Sequence, residues 1–162
     1  MKKILYTRPD GGVSIVVPTP KKDLERVLGS LTDIEYEDHV RQRSIPIDAI
    51  NVRDIDDSDL PSDREFRNAW VDVTPESTID LDCTKAKDIQ LGKLRRERDA
   101  ELEKLDKEFM IALERADNDK IAAIKLKKQN LRDATNPLKA LDTNGKINDT
   151  VTLDRIRTLG SL

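Results

Sequence analysis

DCTKAKDIQLGKLRRERDAELEKLDKEFMIALERADNDKIAAIKLKKQNLRDA, residues 82–134, is the stretch that decides the fold. In its middle Leu102, Leu105, Phe109, Ala112 and Ala116 recur at gaps of three and four, which sets them along one face of a helix. Leu113 widens this stripe, and Glu101, Glu103, Lys104, Lys107 and Glu108 fill the gaps with charge. Glu103 and Lys107 make a favourable pair one turn apart, Glu97 and Glu101 an unfavourable one. Asp82 or Thr84 can cap the start. The helix breaks at 116–119, Ala-Asp-Asn-Asp, where poor helix formers and good capping groups coincide. A second helix then carries Ile121, Ile124 and Leu131 inward, flanked by Ala122, Ala123 and Leu126. Asn136-Pro137 stops it, since the residue before a proline avoids the helical region. The prediction is a helical hairpin with unequal arms, of about 33 and about 16 residues, or roughly 50 and 24 Å.

The short arm can cover only the far half of the long one. The near half, 85–100, has few apolar residues (Ala86, Ile89, Leu91, Leu94) and ends in the charged run Leu94-Arg95-Arg96-Glu97-Arg98-Asp99. It must pack on the N-terminal domain, on the C-terminal tail or on another chain. A helix segment this polar is a solvated surface or a subunit contact, so Lys93, Arg95, Arg96 and Arg98 are candidate contact residues.

Upstream, residues 1–81 read as a small mixed domain. Ile4 and Tyr6 alternate on one strand and Val13, Ile15 and Val17 on another, joined by Arg8-Pro9-Asp10-Gly11-Gly12. Proline pre-sets a turn and the glycines supply positive φ angles, so a β-hairpin is expected. A short helix follows over 21–28 with Leu24, Val27 and Leu28 facing in and Gly29 behind it. Thr32 and Glu35 form a capping-box pattern that opens another helix running to about Arg43, and Pro46 closes it. Ile50, Val52 and Ile55 alternate imperfectly in an expected strand. Residues 54–65 then hold six acids against one arginine, a turn-rich acidic loop. Ser62 and Glu65 form a second capping-box pattern before an expected helix at 63–70, whose stripe is Phe66, Ala69 and Trp70. Phe66 and Trp70 carry much of the aromatic mass of the chain and are expected to anchor this domain against the base of the long helix. Ile79 and Leu81 suggest a short strand. Downstream, 136–162 reads as a tail: a turn at 142–146, then an amphipathic helix with Leu153, Ile156 and Leu159 as its contact face and Gly160 as its cap. The fold class is therefore α+β: small domain 1–81, helical hairpin 82–135 and tail 136–162.

Composition agrees with an elongated, association-prone chain. Of 162 residues 38% are charged, 36% apolar and 3% aromatic, so a large aromatic core is excluded. The net charge of −3 arises from well-mixed signs and does not point to nucleic acid. The one cysteine, Cys83, excludes an internal disulfide framework and fits a reducing compartment or a virion. No apolar run reaches membrane-spanning length, and the basic start has no apolar core, so no signal peptide is expected.

Chemistry-bearing motifs are sparse. His39 stands alone and lacks the partners of a triad or zinc site. Cys83, at a helix start, sits where the dipole lowers a thiol pKa, but no base is near; a half-buried capping residue is the favoured reading. Asp54-Ile-Asp-Asp-Ser-Asp59 lacks the glycine and terminal glutamate of a calcium loop and reads as an acidic turn. The long helix over 84–117 carries nine basic and nine acidic residues, whereas 118–134 carries five and two. That basic excess on the second helix reads as a solvated or interchain salt-bridge face, with nucleic-acid binding as the weaker alternative. No catalytic residue, metal ligand or cofactor is assigned, and an enzyme is the last hypothesis.

Five stretches carry a resemblance: Tyr6-Thr-Arg-Pro-Asp-Gly-Gly-Val-Ser-Ile-Val16, Leu60-Pro-Ser-Asp-Arg-Glu-Phe-Arg-Asn-Ala-Trp70, Ile79-Asp-Leu-Asp-Cys-Thr-Lys-Ala-Lys-Asp-Ile89, Leu105-Asp-Lys-Glu-Phe-Met110 and Lys128-Gln-Asn-Leu-Arg-Asp133. In this order, over roughly residues 1–135, the chain resembles a family of small proteins of tailed bacteriophages and prophages, encoded among tail or tail-fibre genes. The Asp-Arg-x-Phe-Arg-x-Ala-Trp segment is its most specific part. Gln90 departs from the family pattern, which has histidine there, and the tail beyond Pro137 does not match. The resemblance implies a non-enzymatic virion structural protein of the tail or fibre-attachment region, located in the particle and, during assembly, in the host cytoplasm. Its partners would be other virion proteins or copies of itself, with no nucleic acid or membrane. The alternative is an assembly chaperone that is not retained in the virion.

Overall fold

The computed structural model describes residues 2–61, 64–73 and 78–161, and the chain is α+β. It divides into two compact units, Met1–Leu81 and Asp82–Leu162.

The first unit is built on a three-stranded antiparallel sheet in the order β2-β1-β3, from β1 (Lys3–Thr7), β2 (Val13–Val16) and β3 (Ile50–Ile55). β1 and β2 form the expected hairpin, with Leu5 opposite Ile15 and Thr7 opposite Val13. Its turn closes through Arg8 N–H to the Gly12 carbonyl at 2.8 Å and Gly12 N–H to Asp10 Oδ1 at 2.8 Å, with Gly11 at φ +73°. Side chains alternate across the sheet. Leu5, Ile55, Trp70 and Ile79 close a core on one face, joined by the half-buried Val13, Ile15, Leu60 and Leu81. The imperfect alternation of β3 has a physical cause. Its register against β1 shifts between Leu5 and Thr7, and Asn51 takes φ +52°, so one extra residue bulges from β3. Ile50 and Val52 are consequently exposed and Ile55 is buried.

Two helices of this unit follow the sequence reading, with one correction. α2 (Asp33–Ser44) opens on the Thr32–Glu35 capping box, both reciprocal bonds being made. α1 (Lys21–Leu28) has the expected bounds but buries no residue. Leu24 is half-buried, but Val27 and Leu28, expected inside, are exposed.

The helix expected at 63–70 does not form in its described part; Ser62 and Asp63 lie outside the described residues. From Arg64 the chain makes i→i+3 turns, with Ala69 N–H bonded to the Phe66 carbonyl at 2.7 Å. It then extends at Trp70 into β4 (Trp70–Val71), antiparallel to β5 (Asp80–Leu81). A segment this short is marginal as a helix, and Trp and Val, both favoured in strands, pair instead with Leu81 and Asp80. Phe66 and Trp70 are both buried, as expected of the aromatic stripe.

Among the described residues the regular elements of the second unit are helices, with one isolated antiparallel bridge between Asp82 and Ile147. α3 (Cys83–Glu114) is capped by Asp82, whose carboxylate accepts the Thr84 and Lys85 N–H groups. At 32 residues it is about 48 Å long. α4 (Asn118–Asp133), capped by Asp117, folds back along its far half. The turn between them puts Ala116 at φ +53°. Pro137 does more than end α4: it sits in the first turn of a short helix, α5 (Asn136–Ala140), where its missing N–H is harmless. α6 (Thr150–Leu159) follows, capped by Asp149.

Candidate functional site

Three places on the molecule gather the residues that the sequence singled out. The first is the base of α3. Cys83, Ala86, Gln90, Leu91 and Leu94 form a buried face there, and the covering partner is the protein's own tail. Leu153 and Ile156 of α6 are buried and Leu159 is half-buried, so these side chains complete an internal core and do not face outward. Polar groups sew the tail down. Gln90 Nε2 donates to the Gly160 carbonyl at 2.8 Å, Lys87 Nζ to the Leu141 carbonyl at 2.7 Å, and Thr84 Oγ1 to the Thr143 carbonyl at 3.0 Å. A Cβ on Gly160 would run into the Gln90 side chain at 2.2 Å. The stem over 85–99 is thus half covered. Arg95 and Arg96 remain exposed, Lys93 and Arg98 are half-buried, and Arg98 pairs with Asp99 at 2.7 Å.

Burial pushes the Cys83 thiol up, and the Asp149 and Asp82 charges add to that effect. This corrects the expectation that the helix dipole lowers it. The sulfur lies 3.9 Å from the Asp149 carbonyl, inside the core.

The second place is the clasp formed by α4 and the far half of α3. Ala112 and Ile124 are buried in its seam, with Leu102, Leu105, Phe109, Ile121 and Leu131 half-buried around them. Lys128 bridges the arms, pairing with Asp106 and lying 4.6 Å above the Phe109 ring. Outside the seam Met110, Ile111, Leu113 and Leu126 are exposed, at 57%, 43%, 46% and 64%. The charges segregate by helix. Residues 101–114 of α3 hold five acids against two bases, and α4 holds five bases against two acids. Glu103–Lys107 and Glu101–Lys104 pair within α3. Among the described residues no ion pair engages Glu108 and Glu114 of α3, or Lys120, Lys125, Lys127 and Arg132 of α4.

The third place was missed as a site. A cleft of about 390 Å³ opens in the first unit beside β2. Val13, Ile15, Leu60 and Trp70 give it an apolar floor, and Lys3, Arg8, Arg64 and Arg67 a cationic rim. The motif segment splits by role: Arg64, Arg67, Asn68 and Trp70 line the cleft, while Phe66 and Ala69 are buried. The sequence reading paired Arg64 and Arg67 with the acidic loop. In the structure Asp57 pairs with Lys3 and Asp54 with Arg41, and Arg64 reaches Asp57 only as a distant charge. Arg8 is held by Asp10, by Ser14 Oγ and by the Val13 carbonyl. A signal for this site was present in the sequence: the face that carries Val13 and Ile15 also carries Lys3.

Among the described residues, no group of three or more His, Cys, Asp or Glu side chains converges as a metal site, and no helix is long and apolar enough to cross a membrane. Comparison with known proteins gives no match to a family model, a curated protein or a solved structure.

Proposed function

We propose that the chain is a non-enzymatic structural protein of a tailed-phage particle, of the tail or fibre-attachment region, acting through protein–protein contacts of its helical clasp. The phage setting rests on the resemblance of residues 1–135. The mode of action rests on one observation: the clasp leaves Met110, Ile111, Leu113 and Leu126 exposed beside unpaired acids on α3 and unpaired bases on α4. A single pair of helices buries only its seam. A second hairpin laid against it by a two-fold axis sets α4 of one copy beside α3 of the other, so that opposite charges meet around the apolar side chains. The contact surface thereby moves from the stem and the C-terminal helix, whose apolar faces are already used, to the distal clasp.

Light scattering on the purified protein tests the contact. A mass of two or more chains that falls to one chain on Met110→Glu with Leu126→Glu, at unchanged helical content, is the expected result. A monomeric wild type sinks it. Mass spectrometry of purified particles tests the setting, because a protein required for assembly yet absent from virions is the chaperone instead.

A further inference from the structure

The cleft of the first unit plays no part in the clasp contact, and its make-up identifies an occupant. Its floor is aliphatic, from Val13, Ile15 and Leu60, with the edge of the one tryptophan of the chain, Trp70. Its rim is cationic, and among the described residues no acidic side chain lines it. Two of the four cations are already matched, Lys3 by Asp57 and Arg8 by Asp10. Arg64 and Arg67 are exposed, and among the described residues neither has an ion pair. Beside them runs β2, an edge strand, paired with β1 on one side and, among the described residues, with no strand on the other, where the Val13 carbonyl accepts from Arg8.

An unpaired strand edge offers backbone donors and acceptors to an extended chain, and the neighbouring pockets then choose its side chains. Here the pockets select alternating chemistry: aliphatic groups for the floor, and carboxylates for the guanidinium groups of Arg64 and Arg67, which favour planar oxyanions. We propose that this cleft docks an acidic, extended segment of a partner protein, which adds to the open edge of β2 as a fourth strand. Single-stranded nucleic acid fits less well. It needs aromatic faces for base stacking, and the one aromatic of this cleft, Trp70, is 6% exposed.

The sole tryptophan makes the test direct. The full-length protein is titrated with a short synthetic peptide alternating glutamate and valine, with the same peptide carrying lysine for glutamate, and with an oligothymidylate, following Trp70 emission. The expected result is a saturable change with the acidic peptide alone, weakened by added salt, and weakened at least tenfold in an Arg64→Glu, Arg67→Glu double variant. Because both side chains are exposed, that variant should keep its melting temperature and circular dichroism. Amide exchange then reads the mode of docking, with slowed exchange over 13–16 in the bound state. Equal binding by the charge-reversed variant, equal binding of the lysine peptide, preferential binding of the oligonucleotide, or no emission change with the acidic peptide overturns the proposal. None of these outcomes affects the clasp, since a variant altered at Arg64 and Arg67 retains every clasp residue.

Discussion

At the scale of the residue, sequence and structure agree best where one local interaction decides the outcome. The Thr32–Glu35 box needs only its own turn to form, and it forms as its spacing implies. Asp82 rather than Thr84 caps α3, a choice that the sequence left open, because the Thr84 hydroxyl is taken by Thr143 fifty-nine positions away. Cys83 shows the same limit more sharply. Its place at a helix start was legible, but its burial under the Asp149 turn was not, and burial outweighs the dipole. The sign of the consequence follows. The folded protein favours the neutral thiol, whereas the unfolded chain ionises near the ordinary value of 9.0. Stability from this group is therefore complete below that pH and is lost as pH rises from there toward the higher folded pKa. A Cys83→Ala variant should lack that part of the alkaline decline. Denaturant midpoints of the two proteins, measured across this range, check it through the change in their difference, which cancels the lysines and tyrosines common to both.

At the scale of the element, periodicity was a reliable guide wherever a helix was long enough to average over its exceptions. The bounds of α3 and α4 and the break between them follow from the apolar seam and the run of capping residues. It failed at 63–70, where Phe66 and Trp70, four apart, imitate a helical stripe. Both are buried, as the stripe implied, but a tight turn and a strand bury them. That choice depends on β5, ten residues further on; Ile79 and Leu81 suggest that strand, but no local pattern announces that it pairs with Trp70 and Val71. The same dependence bears on α1, whose amphipathic spacing is genuine but whose apolar face is only partly covered: Leu24 is half-buried, while Val27 and Leu28 are exposed. Within the clasp, burial separates two isoleucine- and leucine-type positions that the sequence placed on the same helix. Ile124 is 3% exposed and Leu126 is 64% exposed. Ile124→Ala should cost about 2–5 kcal/mol and raise amide exchange along α4. Leu126→Ala should leave the stability of a single chain within about 0.5 kcal/mol. Chemical denaturation of both variants at low protein concentration decides it, and equal losses would show that the seam has been misplaced.

At the scale of the whole molecule, the chain spends its few apolar residues within two compact units, and each leaves a surface. The tail is the case where the sequence named the residues and structure supplied their purpose. Leu153, Ile156 and Leu159 were legible as a contact face, but what they contact, the 83–94 face of α3, lies about seventy positions back and leaves no local trace. Ending the chain at Ala134 should therefore bare Cys83, Ala86, Leu91 and Leu94 together. A thiol reagent that leaves native Cys83 untouched should modify it rapidly in the shortened protein, a readout that separates loss of cover from loss of the clasp. The clasp itself was half legible. Its seam could be read, while the sorting of acids onto the far half of α3 and bases onto α4 became meaningful only once the two lay side by side. If that sorting serves a second copy, charge reversal has a directional signature. Lys125→Glu with Arg132→Glu should reduce the mass by light scattering to a single chain. Glu108→Lys with Glu114→Lys in a separately tagged copy should do the same. Mixing the two variants should restore association, because the acidic α4 of one then meets the basic α3 of the other. Loss of association in both variants together with rescue on mixing is the signature of unlike helices facing each other across the interface; with two α4 helices in contact, Glu108→Lys with Glu114→Lys would by itself leave the mass unchanged.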